Sequence, residues 1–227
     1  MRVEADGDAY RLQGVMPWVT SAPHCNLIVT GGVLDDSRQI LAAIPPDRDG
    51  VTVGPVMELV ALQSSTTCEV RCANVRVERR DLVRGPVENA LARRSPVKSL
   101  TVSATGLGHA GALLDALHAL PAAPAFVESL ADEYSTVRSR VLEAADARSD
   151  PEADIAAAEL RAAVNALVVR LAIACVTLSK GTGMLLDHPA QRLFREAMFF
   201  LVWSAPQDVQ ARTLAAFAPL CQAGSGL

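Results

Sequence analysis

Between Leu160 and Leu178 the apolar residues recur at alternating steps of four and three: Leu160, Val164, Leu167, Leu171, Ala174 and Leu178. That spacing lays them along one side of a helix and makes this side a seam for partner helices. The helix is expected to end near Lys180, because residues 179–182 break the apolar period. Gly181 and Gly183 can also take backbone angles that other residues avoid. Asp187 then reads as the N-cap of a second amphipathic helix, with Pro189 in its first turn, where a missing amide proton costs little.

The first hundred residues carry a different period. Tyr10 and Leu12 precede Gly14, and WVTSAPHCNLIVTGG holds two short strand candidates around a turn rich in Pro and Asn. Residues 40–44 form another, stopped by Pro45 and Pro46, and VTVGPVMELVAL adds two more apolar segments. In CEVRCANVRV, Cys68, Val70 and Cys72 face one way and Glu69 and Arg71 the other, with Val75 and Val77 read as extending the same period of two. Residues 81–95 are expected to carry the chain out of this sheet.

Helical spacing follows. Residues 97–120 read as one helix whose Gly106, Gly108 and Gly111 either permit close helix approach or mark breaks, with Pro121 and Pro124 as stops. Phe126, Leu130, Tyr134, Val137, Val141 and Ala144 define the apolar side of the next, and Asp150-Pro151 starts the long helix. Ser204-Ala205-Pro206 interrupts, and a last short helix contains Val209, Leu214 and Phe217 before a fraying GSGL tail. The expected class is α+β: an antiparallel β domain over 1–92 followed by an up-down helical bundle over 93–227.

Composition narrows the function classes. Half of the 227 residues are hydrophobic and a fifth charged, the balance of a soluble globular protein. With 25 acidic against 21 basic residues the formal charge is -4, which argues against nonspecific nucleic-acid binding. The tract 162–178 is shorter than a typical membrane span and is interrupted by Asn165 and Arg170, so a bundle helix is expected and no membrane partner. MRVEADGDAY has no apolar signal core, which points to the cytoplasm. Cys25, Cys68, Cys72, Cys175 and Cys221 are odd in number and scattered, without a disulfide framework or the Cys/His spacing of a metal site.

Candidate chemistry is sparse. His24 lies in a turn and His188 at a helix start, where capping is the ordinary role. Ser64, Ser65, Thr66 and Thr67 form either an anion- or cofactor-recognising cluster or a solvated turn. Trp18 with Thr20 and Ser21 reads two ways. The indole either covers a planar heteroaromatic ring, with the hydroxyls serving its polar edge, or fills the β-domain core. Arg192 and Arg195 can meet one anion, or Arg192 can pair with Glu196 across a helical turn. KGTG lacks the spacing of a phosphate loop.

DGDAYRLQGVMPWVTSAPHCNLIV, then LVALQSSTTCEVRCANVRVERRDLVRG, then KGTGMLLDHPAQRLFREAMFF resembles, in order and over nearly the whole chain, the acyl-CoA dehydrogenase superfamily. The resemblance implies a partial version of that fold, the middle β domain and C-terminal bundle, without the N-terminal helical domain or the early part of the β domain. It implies FAD as cofactor, with Trp18 beside the flavin ring and Thr20 and Ser21 at its polar edge or linker. Thr177 occupies the position of a family glutamine and Lys180-Gly181-Thr182-Gly183 that of a double-glycine turn, which meet FAD across a subunit boundary and make Thr177, Gly181 and Gly183 cofactor candidates.

Where the family often places a catalytic Glu-Gly-Thr, this chain has Ser204-Ala205-Pro206, so no catalytic residue is assigned. The activity implied is FAD-dependent oxidation of an acyl thioester carried by CoA or an acyl carrier, with a further segment or partner needed for full activity. The chain is expected in a homo-oligomer, or in a hetero-oligomer with a flavin-binding homologue. Two other roles fit the same resemblance: a noncatalytic structural or regulatory subunit, and a flavin monooxygenase.

Overall fold

Alternation is clearest in β6 (Cys68–Val77), where Cys68, Val70, Cys72, Val75 and Val77 are all buried. The step from Cys72 to Val75 is three residues, however, and the period of two does not run through it. Ala73 and Asn74 both face solvent, Asn74 with φ 56°, and the partner strand spends only Gln13 between its pairings Leu12↔Val75 and Gly14↔Cys72. A bulge absorbs the extra residue, so Val75 returns to the inner face. Burial pushes the Cys72 thiol pKa up, which leaves it a packing residue.

The computed structural model describes residues 1–90, 97–120, 125–146 and 151–217. They fall into two compact units, Met1–Arg94 and Ser95–Leu227. The expected stops at Pro121 and Pro124, the start at Asp150, Cys221 and the GSGL tail lie outside the described residues.

The strands of the first unit are β1 (Arg2–Asp6), β2 (Ala9–Val19), β3 (Ile28–Val33), β4 (Gln39–Ile44), β5 (Val51–Val56), β6 and β7 (Leu82–Val87). They form one seven-stranded sheet in the order β5-β6-β2-β1-β3-β4-β7, antiparallel except where β1 meets β3. Val3, Leu12, Ile28, Ile40 and Ile44 join the buried residues of β6 in one core. Two expectations need correction. Of the two segments in VTVGPVMELVAL only the first is a strand: Val60 is 81% exposed, and the Gln63 side chain, bonded to Met57 O and Leu59 N, takes the backbone groups a ladder would use. LVRGPV does not leave the sheet but pairs with β4 as an edge strand, where the missing N–H of Pro86 forfeits no ladder bond.

Arg48, after β4, forms a two-pronged pair with Asp81, the residue before β7, and the same guanidinium donates to Arg76 O at 3.0 Å. The Arg48 side chain, then the Glu78 amide, hold the Asp81 carboxyl below its usual range against the opposing effect of burial.

The second unit is an up-down bundle of α1 (Val97–His118), α2 (Ala125–Asp146), α3 (Pro151–Leu178), α4 (Pro189–Phe199) and α5 (Gln207–Phe217). The seam of α3 is buried from Leu160 to Ala174, and Leu178 packs against the same core. Burial also extends to Ala158, Ala162, Ala166, Val168, Val169 and Ala172, because α1, α2, α4 and α5 all pack on α3. Over Ile155–Leu178 this helix is, contrary to the sequence expectation, long and apolar enough to cross a membrane by length and composition, but 72% of the window is buried inside the bundle. Gly106 explains the close packing of α1: a Cβ there would stand 2.7 Å from Val164 Cγ1, while one on Gly108 would meet nothing.

Two local assignments change, on α2 and at the start of α4, and α5 gains a buried partner for Val209. Val127 rather than Phe126 turns inward on α2. On α5 the buried pair is Val209 and Thr213, four apart and so on one face; Leu214 and Phe217 face outward. The N-cap of α4 is His188, whose Nδ1 accepts from Ala190 N at 3.1 Å, not Asp187. One residue before Pro189, it is better placed to reach that amide.

Gly106→Ala is expected to lose about 1 kcal/mol or more in urea titration, the crowding against Val164 outweighing the helix-propensity gain, whereas Gly108→Ala gains up to about 1 kcal/mol. Asp81→Asn tests the Arg48 pair. With its folded pKa below the unfolded value, Asp81 adds stability that is complete at neutral pH and disappears as pH falls through the folded pKa. The variant is expected to be less stable by about 2 kcal/mol at pH 7 and to converge with the parent in strong acid, read from denaturant titrations along the pH series.

Candidate functional site

β2 ends at Val19 and the chain turns at Ser21, which adopts the left-handed region with φ 56°. The turn is tied to the loop before β6: Ser21 N donates to Ser65 O at 2.8 Å and Ser21 Oγ to the same oxygen at 3.4 Å. A short 3-10 turn, Ala22–His24, then leads toward β3. Between β2 and β3 lies an open depression of about 370 Å³ whose lining includes Met16, Trp18 and Thr20 on one side and Cys25, Leu27 and Val29 on the other.

Trp18 is 67% exposed, which removes the core alternative: this is an indole presented on a surface. Thr20 is exposed beside it, while Ser21, half-buried, spends its hydroxyl on the backbone and stands next to the depression rather than in its lining. No ionic side chain lines the depression, and Cys25 Sγ donates to Ala22 O. Such a surface suits an uncharged planar ring with hydrogen-bonding edges; it supplies no acid or base of its own. The neighbouring Ser/Thr cluster takes its turn reading: Ser65 Oγ and Thr67 Oγ1 share a hydrogen bond of 2.8 Å, and Thr67 is buried.

Thr177, Gly181 and Gly183 belong to the other unit. Thr177 is exposed in the last turn of α3, and the chain then makes a 3-10 turn over Lys180–Met184. The left-handed residue there is Lys180, φ 53°, so the glycines are not serving the backbone angle expected of them. Gly181 is exposed with open space where a Cβ would be. Gly183 is buried, and a Cβ on it would stand 2.9 Å from both Ser179 Cβ and Val176 O, so close packing accounts for it. The structure thus groups Trp18 and Thr20 in one depression with Ser21 adjacent, and the remaining three at the end of α3.

Arg192 Nε lies 3.8 Å from Glu196 Oε1, the pairing across one helical turn, and Arg195 keeps Nη1 buried without a hydrogen-bond partner among the described residues. His109 Nε2 meets Leu193 O at 2.9 Å. Ser204 is exposed, with φ 46°, in the turn after α4.

One cluster escaped the sequence reading. Arg161, 2% exposed, donates from Nε to Asn165 Oδ1 at 2.9 Å and from Nη2 to Phe200 O at 2.8 Å and Trp203 O at 3.1 Å. Asn165, fully buried, donates from Nδ2 to Thr213 Oγ1 at 3.2 Å. Burial pushes the Arg161 pKa down to about 10, which still leaves it charged at neutral pH. The available signal was two polar residues four apart inside the apolar tract.

No family model matches the chain. It is 22% identical to a probable acyl-CoA dehydrogenase, YngJ, of Bacillus subtilis, over 93% of this chain and 61% of the relative. Its structure superposes on butyryl-CoA dehydrogenase from Megasphaera elsdenii with a TM-score of 0.79 at 18% identity, covering 95% of this chain and 62% of the other. The chain has the fold of the acyl-CoA dehydrogenase superfamily. The part it spans is the β domain and the C-terminal helices, about three fifths of the length of the curated relatives it matches. A glutaryl-CoA dehydrogenase from Mycobacterium smegmatis, solved in complex with FADH2, matches with a TM-score of 0.76 at 16% identity over 96% of this chain and 61% of the other.

Because Trp18 is on the surface, Trp18→Ala is expected to change unfolding free energy by no more than about 0.5 kcal/mol, where a core indole would cost about 3–5 kcal/mol, measured by urea titration.

Proposed function

We propose that the chain is part of an FAD-dependent oxidoreductase acting on an acyl thioester, completed by a further segment or by a partner subunit. The superfamily fold supports this, and the single observation that carries it is Trp18, a large apolar ring left exposed beside a depression with no ionic lining. Trp18 would stack on the isoalloxazine ring, Thr20 would hydrogen-bond its polar edge and Ser21 would hold the turn that places both. Thr177 and Gly181, exposed after the long helix, would meet the cofactor of a neighbouring subunit, with Gly183 keeping that turn tight. Residues and cofactor fit in kind: aromatic surface, hydroxyl donors and a backbone turn open to approach.

Bound there, FAD would accept hydride from the acyl chain. The protein's own part is to bind, orient and shield. Removal of the acyl α-proton needs a base, and the Ser204 hydroxyl is too weakly acidic to form one without an activating neighbour. The base would come from elsewhere in the assembly.

Ser204 also favours a second reading, in which the chain is a noncatalytic subunit that scaffolds a flavin-bearing homologue. The two separate when the protein is expressed with the products of its adjacent coding sequences and purified intact. On the first reading the complex carries FAD that an acyl-CoA bleaches, and Trp18→Ala weakens flavin affinity by about tenfold. If all flavin and all activity reside in a partner and Trp18→Ala changes neither, the scaffold role stands. An assembled complex without flavin and without acyl-CoA-dependent reduction excludes the first.

A further inference from the structure

Arg161 and Thr213 do not bond to each other, yet Asn165 joins them. The guanidinium is donor-only, so Asn165 must turn Oδ1 toward Arg161 Nε, at 2.9 Å. That choice leaves Nδ2 pointing the other way, where Thr213 Oγ1 accepts at 3.2 Å. The orientation of one buried amide is therefore set by a cation on α3 and read by a hydroxyl on α5. The same cation holds the carbonyls of Phe200 and Trp203, at the end of α4. Those carbonyls belong to a tight turn: Val202 N and Trp203 N both donate to Phe199 O, and Ser204 follows with φ 46°.

Apart from this network α5 is lightly anchored. Val209 and Thr213 are its buried residues among those described, while Leu214 is 66% and Phe217 40% exposed. The other polar link to α3, Arg212 to Glu159 at 3.0 Å, is an exposed ion pair and weak for that reason.

We infer that Arg161 and Asn165 form a latch that couples the turn after α4 to the docking of α5, so that the two segments open together rather than independently. Loss of either end leaves a buried polar group without its partner: without Thr213 the Asn165 Nδ2 has no acceptor, a cost relieved only by moving the amide and with it the Oδ1 that aligns Arg161 on the two carbonyls, and without Arg161 nothing fixes which way the amide faces Thr213. The inference does not depend on flavin or substrate.

Amide hydrogen exchange on the whole chain, read by mass spectrometry, tests it. Thr213→Val, which keeps size and removes the acceptor, is expected to speed exchange about tenfold both in α5 and in the turn amides of Leu201, Val202 and Trp203. Arg161→Met is expected to do the same at both places. Asn165→Asp is the conservative rescue, since a carboxylate accepts from Arg161 and from the Thr213 hydroxyl together; it is expected to keep both segments protected, whereas Asn165→Leu releases both. Faster exchange in α5 alone for Thr213→Val, or in the turn alone for Arg161→Met, would overturn the coupling. So would Asn165→Asp behaving like Asn165→Leu. If Arg161→Met does not fold, the Thr213 and Asn165 variants carry the same decision.

Discussion

A buried cation with no carboxylate partner among the described residues is the constraint around which the bundle is arranged. Arg161 sits in an apolar stretch of the chain, and its bonded acceptors are an amide oxygen, the carbonyl of Phe200 that caps α4 and the carbonyl of Trp203 in the turn beyond. A carbonyl at a helix C-terminus carries partial negative charge and lacks a partner within the helix, so a guanidinium at Phe200 answers two needs at once. The depression of its pKa to about 10 records the cost of burial. With the cation fixed, the end of α4, the amide of Asn165 and the face of α5 have little remaining choice.

The β unit is governed differently. Its core is made by alternation, corrected at one point by the bulge at Ala73–Asn74, and its loops are held by side chains that substitute for ladder bonds, Gln63 and the Arg48–Asp81 pair among them. The end of β2 leaves the Trp18 indole exposed beside a depression with no ionic lining, which on the proposed reading suits recognition of a ring and supplies no group for proton transfer. That reading agrees with Ser204 at the place where the resemblance expects a base.

Much of the fold was legible in the sequence because each unit has one dominant period. The seam of α3 and the inner face of β6 up to Cys72 follow directly from step lengths. Misreadings fell where a period competes with something else: the extra residue in β6, the edge strand LVRGPV disguised by Pro86, the choice of Val127 over Phe126, and the cap of α4 shifted by one residue. In each case the deciding partner lies on another element or in a turn geometry that composition does not encode.

The site divides along the same line. The sequence by itself determined which residues were worth watching, and that Trp18 either fills a core or covers a ring, because both uses need the same large apolar surface. Only the tertiary structure removed the core use, by leaving the indole in solvent beside a depression. The sequence likewise placed Arg161 and Asn165 one helical turn apart, but not that their acceptors and donors would be met at residues 200, 203 and 213. Those partners are some forty residues away along the chain, and hydrogen bonds of that range are set by packing, which no local period carries.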